Sequence, residues 1–209
     1  MPDFSRKFAL VANGHIENYA NTARQLSEFS HIIAVDGGLD HCHKMNIRPF
    51  EIVGDLDSVT PKTLDLYRDI PLHQYPFDKN ETDLELAIAR AKPSSDNHVV
   101  VYGAMGLRMD HSVANLYLLA RYPGCLSFES DTEIIFAIDG TCQINTHAGQ
   151  IISLLPLGEP VEGVQTSGLR WELNNATLNS SFLSVSNECL GSQVAISTHS
   201  GTLLCYLQR

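Results

Sequence analysis

Positive charge is scarce in this chain. Its 14 Lys and Arg against 24 Asp and Glu leave a formal net charge of −10, a field that repels nucleic acid and anionic lipid and argues against a basic groove as the working surface. Long apolar runs are missing as well. No stretch approaches the ~18 apolar residues of a membrane span, and the run that begins at Phe8 and ends before Asn13-Gly14 is too short for a secretory segment. The five cysteines, Cys42, Cys125, Cys142, Cys189 and Cys205, are odd in number and form no Cys-x-x-Cys pair, as expected of reduced thiols in a cytoplasm. A cytoplasmic protein is therefore expected. With 9 prolines, no repeat and no low-complexity tract, the chain is neither disordered nor fibrous. What is present is 209 residues, 44% hydrophobic and 18% charged, enough for one large unit or two modest ones with an ordinary core.

Composition shifts near Pro123-Gly124. Residues 1–123 hold 12 Lys/Arg, 16 Asp/Glu and 11 Ser/Thr, and residues 124–209 hold 2, 8 and 18, which marks a candidate boundary between a domain 1–123 and a domain 124–209. In the first part, apolar runs (FALVAN, HIIAVD, EIVGD, HVVVYG) alternate with helical patterns (NYANTARQLSEF, GLDHCHKMN, TPKTLDLYRD, ETDLELAIARA). Runs that are apolar throughout suit strands buried on both faces, so the alternation predicts a Rossmann-like, mostly parallel α/β domain with ligands at the carboxyl ends of its strands. Thr60-Pro61 reads as a helix start, and Thr82 with Glu85 as a capping box. The second part is a series of short β-prone runs (CLSFES, EIIFAI, TCQIN, QIISLLPL, LRWEL, TLNSSFLSVSN, VAIST, TLLCYL), which predicts an antiparallel sandwich or barrel.

Acidic residues fall at the predicted strand ends. Asp55 and Asp57 in Gly54-Asp55-Leu56-Asp57-Ser58 stand two apart after Ile52-Val53. Such a pair can face one hard cation such as Mg2+, which favours oxygen ligands, or can simply satisfy backbone N–H groups in a polar turn. Asp83 opens a helix, where it either completes that metal shell or stabilises the helix dipole. In Gly103-Ala104-Met105-Gly106-Leu107-Arg108-Met109-Asp110-His111, glycines admit a phosphate to the backbone, Arg108 offers paired donors, and Asp110 reads as a helix N-cap. No Walker loop and no GxGxxG occurs. Asp36-Gly37-Gly38 is a further strand end, either a nucleotide contact or a tight turn. His41 and His43 read as solvated, having no partners at zinc spacing. The single tryptophan, Trp171, is either core or a stacking surface for a flat ligand.

Taken in order, VDGG, GDLDS, ETDLELA, GAMGLRMDH with Asn115, SLLPLG, GLRWEL and SNE resemble the thiamine pyrophosphokinase family over most of the chain, from about Asp36 to the C-terminus. The resemblance implies an α/β catalytic domain, a C-terminal β-sandwich, a homodimer, and conversion of ATP and thiamine to AMP and thiamine diphosphate. It implies Asp55, Asp57 and Asp83 as magnesium ligands and catalytic residues together with Arg108. Asp36, Gly37, Gly38, Gly103, Gly106, Arg108, Asp110 and Asn115 would border the ATP cleft, and Trp171, Ser186 and Asn187 would contact thiamine, the tryptophan stacking across the dimer interface. The loop Asn13-Gly14-His15 departs from the family pattern, and Asp78 receives no role. Two other readings remain open, and incubation with ATP, Mg2+ and thiamine discriminates between them and the kinase. One is a haloacid-dehalogenase-like phosphatase using Asp55 in Asp-x-Asp-x-Val, which lacks a second Gly-Asp pair; the other is a non-catalytic thiamine or nucleotide sensor.

Overall fold

A computed structural model describes residues 8–209. By its internal contacts the chain falls into two units, one running to Asn115 and taking in Phe128–Asp131, the other made of Leu116–Ser127 and Thr132–Arg209. The first unit carries β1 (Phe8–Val11), α1 (Tyr19–Leu26), β2 (His31–Val35), α2 (Gly38–Lys44), β3 (Glu51–Gly54), α3 (Pro61–Leu66), β4 (Leu72–Gln74), α4 (Asp83–Ala91), β5 (Val99–Tyr102) and the start of α5 (Met109–Leu119). Its strands pair in the order β5-β1-β2-β3-β4, every neighbour parallel. β3 and β5 are buried at every position, the physical counterpart of their apolar sequences.

The predicted elements of this unit form, with two differences. The short β4 was not expected, because it is a half-exposed edge strand between Pro71 and Pro76 and has no apolar run to betray it. The capping box on α4 is present, Glu85 N donating to Thr82 Oγ1 at 3.2 Å and Thr82 N donating to Glu85 Oε2 at 2.9 Å. Thr60 is the N-cap of α3 with Pro61 in its first turn, as expected; its side chain turns from the helix, Oγ1 donating to Asp40 Oδ1 at 2.9 Å. His41 is not solvated. Its Nε2 lies 2.9 Å from the Gly14 carbonyl and its Nδ1 lies 2.8 Å from the Tyr19 hydroxyl, because α2 packs against the loop after β1. His43 is exposed, as expected.

β6 (Leu126–Glu129) is shared between the units. The second unit continues with β7 (Glu133–Ile138), β8 (Thr141–Asn145), β9 (Ile151–Pro156), β10 (Val161–Ser167), β11 (Ala176–Leu178), β12 (Ser184–Glu188), β13 (Gln193–Ser197) and β14 (Leu203–Gln208). These form two antiparallel sets, β12-β9-β14-β7 and β11-β10-β13-β8. One core draws on both, with Ile152, Leu154 and Cys205 from the first set and Val164, Val194 and Ile196 from the second, which makes the unit a β-sandwich. LRWEL, expected to be a strand, is a turn. The strand lies just before it, in β10, where a register shift at Gly163 (φ 64°) breaks the alternation of buried positions to Val161, Val164 and Thr166. TLNSSFLSVSN, read as one run, is β11 and β12 separated by a turn at Asn179–Phe182. All five cysteines are free thiols. Among the described residues, no helix is long and apolar enough to cross a membrane.

Candidate active site

In the first unit β1 lies between β2 and β5, so the chain leaves it toward one side of the sheet and later returns on the other. Crevices in open parallel sheets form at such a switch point, at the carboxyl ends of the strands. A cavity of about 200 Å³ occurs there, lined by Ala12, Asn13 and Gly14 after β1 and by Gly103, Gly106 and Arg108 after β5. Asp36, Asp83 and Asn115 complete its wall. The two loops are zipped together by Gly14 N donating to the Gly103 carbonyl and His15 N to the Met105 carbonyl, both at 2.7 Å. Gly103 (φ 68°) is required by this contact, since a Cβ there would lie 2.5 Å from the Ala12 carbonyl oxygen. Buried Asn115 holds the second loop, donating from Nδ2 to the Ala104 carbonyl at 2.7 Å, and Ser112 Oγ accepts from Gly106 N at 3.0 Å. Ser112 went unnoticed in the sequence because a serine inside a helix carries no positional signal. Gly37 and Gly38 do not line the cavity. They serve packing, a Cβ on Gly38 falling 1.8 Å from the Val11 carbonyl oxygen and one on Gly37 meeting the Asn13 side chain.

Carboxylates converge beside this cavity. β2 and β3 are parallel neighbours with Val35 opposite Val53, so the residues that follow them, Asp36 and then Asp55 and Asp57, leave the sheet side by side. One carboxylate oxygen from each of the three lies within 4.8 Å of the others. Two residues there hold left-handed backbone conformations that only surrounding structure can maintain: Asp36 at φ 46° and Leu56 at φ 70°. The Leu56 side chain packs on the hydrophobic core, leaving its two flanking carboxylates outside. Burial pushes the Asp36 carboxyl above its ordinary value, and the Asp57 charge adds to the shift. Hard oxygen donors crowded against like charge are the donor set for Mg2+, so these residues fit such an ion.

Asp83, at the start of α4, is not within that triplet. It reaches Asp55 through Lys79, whose Nζ is 3.1 Å from Asp55 Oδ2 and 3.2 Å from Asp83 Oδ1, the latter an ion pair without hydrogen-bond alignment. Burial pushes Asp83 upward too, Lys79 opposing the shift and the Asp55 and Asp36 charges adding to it. Burial works to raise Asp55 as well, but the Asp57 N–H and Lys79 outweigh it and hold that carboxyl below its ordinary value. Asp36 as the third converging acid, and Lys79 as their counter-ion, were missed in the sequence. No spacing rule pointed to Lys79, which lies outside α4 and precedes its first residue, Asp83, by four positions.

Arg108 stands on the cavity rim with its side chain 68% exposed, and its guanidinium grips Asp110 at 3.2 and 2.6 Å. That grip holds the Asp110 carboxyl at about 2. Asp110 is not the N-cap expected of it, because α5 already begins at Met109; it does not line the cavity.

In the second unit Trp171 is 58% exposed. The turn that carries it is pinned by buried Asn187, whose Oδ1 accepts Trp171 N at 3.1 Å and whose Nδ2 donates to the Trp171 carbonyl at 2.7 Å. Asn187 Oδ1 also accepts Glu188 N at 2.9 Å, so this amide is spent on holding the tryptophan. Ser186 adopts φ 57°, its N–H donating to Ser153 Oγ at 3.0 Å. Arg170 lies over the indole, 5.0 Å from the ring centroid, and pairs with Glu188 at 2.9 Å.

Comparison with known families bears on the chain as a whole. The thiamin pyrophosphokinase catalytic domain matches residues 22–136, and the thiamin pyrophosphokinase vitamin B1 binding domain matches residues 141–203. The chain belongs to the thiamin pyrophosphokinase family. Thiamine pyrophosphokinase 1 of Arabidopsis thaliana is 30% identical over 179 residues, 75% of this chain and 64% of the relative. The thiamine pyrophosphokinase of Bacillus subtilis is 28% identical over 205 residues, 93% of this chain and 95% of the relative. The chain spans 57% of the Oryza sativa subsp. japonica thiamine pyrophosphokinase 1 that it matches, and 54–64% of the Arabidopsis relatives. In fold, the crystal structure of the Bacillus subtilis thiamine pyrophosphokinase matches with a TM-score of 0.81 at 22% identity, covering 97% of this chain and 99% of the other. The yeast thiamin pyrophosphokinase matches at 0.83 and 17% identity, covering 98% and 86%. Membership in this family sets aside the phosphatase reading of Asp55.

Proposed function

We propose that this chain is an ATP-dependent thiamine diphosphokinase. It transfers the β,γ-diphosphoryl group of ATP to the thiamine hydroxyl: the hydroxyl oxygen bonds to the β-phosphorus and loses its proton to solvent, the bond from the β-phosphorus to the α,β-bridging oxygen breaks, and AMP leaves with that oxygen. The observation that carries the reading is the convergence of Asp36, Asp55 and Asp57 beside a switch-point cavity of nucleotide-binding type. Charge in such a reaction lies on phosphate oxygens, so catalysis is positioning plus electrostatic stabilisation. A bound Mg2+ would supply charge neutralisation to those oxygens, held by Asp55, Asp57 and Asp36 and bordered by Asp83. In a protein of net charge −10, this local neutralisation is what lets a polyphosphate approach.

The chain's own residues provide the rest. The cavity between the loops after β1 and β5 receives the nucleotide, with backbone donors near Gly103 and Gly106 toward its phosphates. Arg108 exchanges its exposed pairing with Asp110 for phosphate oxygens. Trp171 stacks on thiamine, and Asn187 acts by holding the tryptophan turn rather than by touching the substrate. Residues 1–123 then serve ATP and catalysis, and residues 124–209 serve thiamine binding and pairing of two copies. The exposed Phe182, Leu183, Val185 and Leu190, which accompany Trp171 in the second unit, support a homodimer; free thiols support a cytoplasmic setting. The test is incubation of the purified chain with ATP, Mg2+ and thiamine. Stoichiometric AMP and thiamine diphosphate are expected. Calorimetric binding of both substrates with no AMP formed would replace the enzyme with a sensor.

A further inference from the structure

The Lys79 ammonium sits inside the acidic site. Its Nζ is held by Asp55 Oδ2 at 3.1 Å, by the Pro76 carbonyl at 3.0 Å and beside Asp83 Oδ1 at 3.2 Å. The lysine side chain is 12% exposed and the two carboxylates are 11% and 19% exposed, so the pairing is only weakly screened by water. Asp55 has two duties. It is one of the three acids whose oxygens lie within 4.8 Å of one another, and it is also the principal partner of Lys79. A divalent cation on the triplet and an ammonium on Asp55 are like charges sharing one carboxylate, so each weakens the other's hold.

We propose that Lys79 is a positioning residue that couples cation binding to polyphosphate binding. Without nucleotide its charge occupies Asp55 and Asp83 and keeps the affinity of the triplet for a free divalent ion low. When the ion arrives with a phosphate chain, the anionic oxygens offset the repulsion between ion and ammonium and give Lys79 a second set of partners. Metal and nucleotide therefore bind as a pair, each raising the affinity of the other by the same factor. The inference rests on the kinase reading for the identity of the phosphate ligand.

The experiment measures Mn2+ affinity by electron paramagnetic resonance, without nucleotide and with an ATP analogue methylene-bridged between the α- and β-phosphates, for the full chain and its Lys79→Met and Lys79→Arg variants. Lys79→Met should bind free Mn2+ about tenfold more tightly, since a unit charge beside the ligands is gone, and should bind it with less enhancement by the analogue. Lys79→Arg should restore both values. Unchanged or weaker Mn2+ binding in Lys79→Met, with folding verified by its melt, overturns the proposal, as does an undiminished enhancement; Lys79→Gln serves in its place if Lys79→Met does not fold. None of these readouts needs turnover. A wild-type chain that forms no thiamine diphosphate would remove the kinase reading and leave the Mn2+ comparison to be judged by itself.

Discussion

In the first unit the proposed chemistry rests on carboxylates that a parallel sheet delivers from separate strand ends, Asp36 after β2 and Asp55 and Asp57 after β3. In the second it rests on one indole held up by a turn and a single buried amide. Charge has to be brought together and then balanced, which requires several elements in register and a counter-ion such as Lys79. An apolar ring needs only to be presented, and one well-satisfied Asn does that. The sequence composition follows the same division, with 12 of the 14 Lys and Arg lying in residues 1–123.

This contrast can be broken, and the largest effect is expected in the acidic site. Asp57→Asn should lower turnover by about 10²-fold or more, since metal-held charge stabilisation is worth several kcal/mol. Its thermal melt should not fall below the wild-type value, because Asp57 is exposed and its loss relieves repulsion on Asp36. Retained turnover would remove Asp57 from the metal set. Next is Asn187→Leu, which strips hydrogen-bond partners from the part-buried backbone N–H and carbonyl of Trp171. A stability loss of about 1–3 kcal/mol in denaturant unfolding is expected, together with weaker thiamine binding; a destabilised variant with unchanged thiamine KM would separate the amide from the tryptophan's role. Trp171→Ala should raise the thiamine KM about fivefold, the equivalent of ~1 kcal/mol of stacking, and leave the ATP KM where it was. A change in the ATP KM instead would dissolve the division of labour.

The smallest effect concerns His41. Burial lowers its pKa below the ordinary 6.5, with the Gly14 carbonyl opposing the shift and Lys44 adding to it. The folded state thus disfavours its proton. The stability from neutral His41 is fully present above pH 6.5, the unfolded value, and is lost as pH falls from there toward the lowered folded value. Melting temperatures measured from pH 7.5 down to 5 should show this loss in the wild type and a shallower slope in His41→Gln. Identical slopes would show that His41 contributes nothing to the pH dependence.

Local features were legible in the sequence because local chemistry fixes them. Continuous apolar runs marked β1, β2, β3 and β5, and Thr82 with Glu85 marked the start of α4. Where two neighbouring signals conflicted, the sequence misled. Gly163 hid β10 by shifting its alternation by one residue, and the apolar character of LRWEL suggested a strand where the chain turns to expose Trp171. Of the candidate site, the acids and the tryptophan could be picked out by type and position. The partner of each could not, since His41 to Gly14, Lys79 to Asp55 and Asn187 to Trp171 span 27, 24 and 16 residues.

By itself the sequence determined which residues can carry charge, which segments become strands or helices, and, through ordered motifs in both parts, the family. The tertiary structure alone decided that Asp36 joins Asp55 and Asp57, that Lys79 lies between Asp55 and Asp83, and that Asn187 is consumed in holding Trp171. Side-chain type and local spacing act within a few residues, and they set the first group. Strand order and register bring distant residues within hydrogen-bonding reach, and only the folded chain contains that information.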